Sequence, residues 1–83
     1  MMVPWQAHIS VRSNFLQADI GSARKARYLS QRDADRLWHR VDHIRSDTDR
    51  FVRQQGFLSA AERASYDREL DEVAAELCRV MPK

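Results

Sequence analysis

At 83 residues the chain has room for one domain, close to the lower limit for a single hydrophobic core. Apolar residues make up 43% and charged residues 31%, a balance that folds in water, and no apolar run approaches the roughly 20 residues of a membrane-spanning helix. A lone Cys78 excludes an internal disulfide or a multi-cysteine zinc site, and two Gly and two Pro are too little punctuation for a many-stranded β fold.

Residues 1–12 have no clear period and are predicted to be irregular. They carry neither a basic leader nor an apolar stretch of signal-peptide length. As written, this predicts a cytoplasmic chain; a leader removed from upstream would make it periplasmic. Leu16, Ile20 and Ala23 then fall at helical spacing, with Ile9 seven residues before Leu16, which predicts a first helix over about 13–26. Gly21 lies inside it at a cost of about 1 kcal/mol relative to Ala. The basic cluster Arg24, Lys25 and Arg27 reads as a solvated helix end.

Beyond it the chain resembles itself at an offset of 29. Leu29-Ser30 recurs as Leu58-Ser59, Asp33 falls on Glu62, Leu37 on Tyr66, Val41 on Leu70 and Ile44 on Val73. Two helical units starting near 29 and 58 account for this. Ser59 with Glu62 forms a capping box, and Ser30 with Asp33 is a weaker version with a shorter acid; each cap contributes about 1 kcal/mol. Gly56 suits the end of the intervening helix because it takes a positive φ without a Cβ clash. Ala34, Leu37, Val41, Ile44, Thr48 and Phe51 are spaced 3, 4, 3, 4, 3, and Tyr66, Leu70, Val73, Leu77 and Val80 are spaced 4, 3, 4, 3. Helices are therefore predicted over 30–55 and 59–81, joined as an antiparallel hairpin.

A two-helix hairpin buries little on its own. The prediction is thus an all-α single domain over 1–83, completed to a three-helix bundle or by dimerisation. Trp38 gives the second helix an additional apolar edge. In the bundle, Trp5 or Phe15 would pack against it; in the alternative, a second copy would. Trp38, Phe15 and Trp5 are accordingly the candidate interaction residues.

Reactive chemistry is sparse. His39 and His43 lie at i, i+4 with Asp35 one turn before and Asp47 one turn after, an arrangement that would suit a transition metal, so His39, His43 and Asp35 are the candidate ligands of an alternative, metal-handling reading. Against it, Arg68 and Glu72 hold the equivalent places in the other unit, and no general base accompanies the pair. Asp47-Thr48-Asp49 fails as a calcium loop at Phe51, Val52 and Leu58. No phosphate loop, paired-carboxylate cleft or serine elbow is visible, so neither an enzyme nor a cofactor is predicted. Arg32, Arg36 and Arg40 form a row that would suit phosphate, the basis of a third, nucleic-acid-binding reading, but Asp33, Asp35 and Asp42 on the same helix oppose it. Charge is uneven: net +4 through residue 58 and net −2 after it, so one part can complement the other within a fold or across a dimer.

Gly56-Phe57-Leu58-Ser59, Glu62-Arg63 and Tyr66-Asp67-Arg68-Glu69-Leu70-Asp71, with Leu29-Ser30 as an earlier copy, resemble small Arg-rich helical proteins of alphaproteobacteria. The resemblance covers about residues 20–75 and implies export when a leader is present, without implying an activity. Arg27 stands where the pattern has Gly. From the residues themselves, the expected function is a non-enzymatic protein-interaction module, with a second copy of the chain as the expected partner.

Overall fold

A computed structural model describes residues 5–81, with the side chains of residues 8–81. These form three helices and no strand: α1 (Trp5–Lys25), α2 (Gln31–Gln55) and α3 (Ala60–Val80). Side-chain pairs fix their directions. Arg24 bonds Gln31 while Arg45 bonds Asn14, so α2 runs back along α1. Arg36 pairs with Glu76 and Arg40 with Glu72, so α3 runs back along α2. The result is an up-down-up bundle of 41 × 23 × 20 Å.

The helix ends follow from local chemistry. Ser30 and Ser59 are both extended N-caps, at φ −69° and ψ 161° and 162°. Each hydroxyl accepts from the backbone N–H three residues on, at 3.1 Å from Asp33 and 3.2 Å from Glu62. Only Glu62 reaches back to its cap, 2.9 Å from the Ser59 N–H, whereas the shorter Asp33 makes no such return bond. Gln55 braces this second turn by donating to Glu62 and to the Phe57 carbonyl. Gly56 closes α2 in the left-handed region at φ 83°. Arg27 does the same after α1 at φ 66°, with Tyr28 N–H on the Ala23 carbonyl and Arg27 N–H on that of Arg24. This is a Schellman closure built on a residue that pays a Cβ penalty Gly avoids.

One core runs the length of the bundle. α2 supplies Ala34, Leu37, Val41, Ile44 and Thr48, α3 supplies Leu70, Val73 and Leu77, and α1 supplies Ile9, Ser13, Leu16, Ile20 and Ala23. Both predicted seams are thus internal along their middle, while Phe51 and Tyr66 are half-buried against the core and Val80 at the end of α3 is exposed. Thr48 tolerates burial because its hydroxyl donates to the Arg45 carbonyl at 2.9 Å. Ser13 does not: its buried Oγ has no hydrogen-bond partner.

Two expectations need correction. The segment predicted to be irregular is helical from Trp5 onward, so α1 starts about two turns before residue 13; residues 1–4 lie outside the described residues. The early turns are held by tertiary contacts that local spacing did not reveal. Ile9 is fully buried, and Arg12 reaches across to Asp67, at 2.9 Å, and to Asp71. The other correction concerns Phe15, which does not close the bundle against Trp38. Trp38 borders α1 at Gln17 and Gly21, and Phe15 lies about 120–160° round the helix from both, on the opposite flank. The predicted α2–α3 hairpin is present, yet the closer backbone neighbour of α2 is α1. Small residues, Gly21 of α1 and Ala34 of α2, border one another where those two helices approach, while the α2–α3 contact carries long side chains.

Candidate functional site

The outward face of α1 is the clearest unexplained surface. Facing away from the core residues of the same helix, Val11 (52% exposed) and Phe15 (70% exposed) stand one turn apart, and they share a shallow hollow with Asn14 and Ala18. Leu16 and Ile20 already anchor the helix from its other side, so nothing in the fold requires an aromatic ring at position 15. Of the predicted interaction residues, Phe15 and Trp38 are both exposed but lie on different flanks of α1, and the Trp5 side chain falls outside the described residues. Val11 was not singled out from the sequence. Its i, i+4, i+7 relation to Phe15 and Ala18 was the available signal, and starting the helix at 13 concealed it.

The two histidines of the predicted ladder have separate neighbours. His43 Nε2 lies 3.2 Å from Asp47, toward the C-terminal end of α2, while His39 packs edge-on to the Trp38 ring at 5.5 Å. Asp35 is occupied by Gln31, 2.8 Å away. Among the described residues, no three His, Cys, Asp or Glu side chains gather as a metal-holding group, and His39, His43 and Asp35 are not brought together as one.

The arginine row is largely consumed within the fold. Arg36 lies 2.9 Å from Glu76, and Arg40 pairs with Glu72; from the other side Arg12 clamps Asp67 and Asp71. The basic excess of the first two helices therefore meets the acidic excess of the third inside one chain. The hydrogen bond from Arg36 holds the Glu76 carboxyl below the usual glutamate range, and the same contact raises the arginine. Glu62 is also held low, first by the Ser59 backbone N–H and then by its hydroxyl. These partners leave Arg36 and Arg40 poorly disposed toward phosphate.

Cys78 is exposed on α3. No helix among the described residues is long and apolar enough to cross a membrane. In comparisons with protein families, curated proteins and solved structures, the chain matches none.

Proposed function

We propose that the chain is a non-catalytic helical module that acts by docking protein, a second copy of itself included, through the outward face of α1. The observation that carries this reading is the pair Val11 and Phe15, large apolar side chains one turn apart on a face the core does not use. Exposed apolar side chains are common singly; a paired ridge on an otherwise amphipathic helix is the pattern of a partner-binding surface. The arginine–carboxylate pairs support the same reading, because they engage Arg36 and Arg40, two members of the row that would face phosphate, within the fold. Sedimentation equilibrium tests it. Association is expected at high micromolar concentration for the parent chain and lost in Phe15→Asp, which changes an exposed side chain and leaves the core alone. A strict monomer over that range removes the self-association.

A further inference from the structure

The two turns of the bundle follow one plan and differ in charge. Arg27-Tyr28-Leu29-Ser30 and Gly56-Phe57-Leu58-Ser59 each run from a left-handed residue through an exposed aromatic and a buried leucine to a serine cap. The offset of 29 makes the second turn a control for the first. Lys25, Arg27 and Arg32 correspond to Gln54, Gly56 and Ala61, so the same turn forms without those three cations. Two of them also stand against local physics. Arg27 holds the left-handed conformation at φ 66°, which is harder for a residue with a Cβ than for glycine. Arg32 lies in the first turn of α2, at the positive end of the helix dipole, where a cation is unfavourable. The dipole of α1 accounts for Arg24 and Lys25 in its last turn, but for neither of the other two.

Ion pairing sharpens the contrast. Along the flanks Arg12, Arg36, Arg40, Arg45 and Arg50 each meet a carboxylate. Among the described residues Lys25, Arg27 and Arg32 meet none, and Arg24 bonds only Gln31. All four are exposed, and Tyr28 between them keeps 44% of its surface in solvent. Arg79 adds a cation at the same end, since Glu76 one turn before it pairs with Arg36, one turn after Arg32. The carboxylates of these turns are engaged: Asp35 by Gln31, and Asp33 and Glu76 by Arg36.

We propose that this end of the bundle docks on an anionic lipid surface, with the α1–α2 turn against the headgroups. Its cations crown a convex turn, which meets a plane at several points at once. A nucleic-acid strand needs a row or groove to run along, and the row that would serve it holds Arg36 and Arg40, already bound to Glu76 and Glu72. Clustered Lys and Arg are the side chains that an anionic leaflet attracts, and a tyrosine among them suits the headgroup layer, its ring apolar and its hydroxyl wet. No helix among the described residues is long and apolar enough to cross a membrane, so the attachment is peripheral and reversible. Phe15 lies ten residues before Lys25, about 15 Å of helix, so the α1 ridge stays clear of the surface.

Co-sedimentation of the full chain with vesicles at low salt tests this. Binding is expected to phosphatidylcholine vesicles containing phosphatidylserine and not to phosphatidylcholine alone, and it should fall as salt is raised. The triple variant Lys25→Gln, Arg27→Gly, Arg32→Ala gives the first turn the residues of the second. It should melt no lower than the parent and lose binding on the order of a hundredfold, at about fivefold per cation near an anionic surface. Arg50→Gln, Arg53→Gln, Arg68→Gln removes the same charge elsewhere and should stay within a few-fold of the parent. No binding to the anionic vesicles, equal binding to neutral ones, or equal loss in the two variants would overturn the proposal. So would binding of a single-stranded oligonucleotide in place of the vesicles. Self-association through α1 is not at stake in either variant, since both keep Val11 and Phe15.

Discussion

The second helix meets its two neighbours in different ways. Toward α1 it presents the small Ala34, which borders Gly21 of that helix, and the two backbones come close. Toward α3 it presents Phe51 against Tyr66, at 6.5 Å between ring centres, and an outer row of arginines against glutamates. The first contact is governed by shape and the second by chain length and charge. A helix pair of the first kind resists added volume, whereas one of the second kind responds to acid and salt.

The largest expected effect is at the seam that both contacts share. Leu70→Ala removes a fully buried side chain and should cost about 2–5 kcal/mol in a urea titration. A loss under about half a kcal/mol would place Leu70 outside the core, since that is the range of surface substitutions. Next comes the core around α1: Ala23→Leu at a fully buried position should cost about 1–3 kcal/mol by overpacking, and a neutral result would mean that the core has slack there. The turns come third. Arg27→Gly should stabilise the chain by about 1 kcal/mol, because it relieves a left-handed non-glycine residue, whereas Gly56 already has that relief. Thermal melts of both proteins would show it as a rise in midpoint.

The smallest effect belongs to the ionic contact and has a definite sign. Glu76 and Glu62 titrate lower in the folded chain than in the unfolded one, so their contribution is complete above the ordinary glutamate range, near 4.3, and disappears as pH falls through their depressed values. Glu76→Gln should therefore flatten the acid limb of a stability–pH curve and leave Ala23→Leu just as damaging. An acid limb unchanged by the substitution would detach Glu76 from it.

The seams of α2 and α3, their serine caps and the glycine stop were all legible, because each rests on local chemistry or on a period that a single helix must satisfy. The start of α1 was not. Its first turns hold His8, Ser10, Arg12 and Ser13, which look like surface until Arg12 is seen to meet Asp67 and Asp71 from a helix more than fifty residues away. That omission hid the ridge of Val11 and Phe15. The pairing of Phe15 with Trp38 failed for a related reason: spacing gives the face of one helix, and which flank a neighbour occupies is decided only when three helices pack. The histidine ladder was legible as spacing, but the direction in which His43 turns, toward Asp47, depends on side-chain geometry.

The cross-helix ion pairs described above all end on α3, from Arg12 on one neighbour and from Arg36 and Arg40 on the other. The third helix is thus the part of the bundle whose attachment is most electrolyte-dependent. Raising ionic strength should let it detach transiently from a still-associated α1–α2 pair, and amide exchange along 60–80 should accelerate before exchange along 31–55 does.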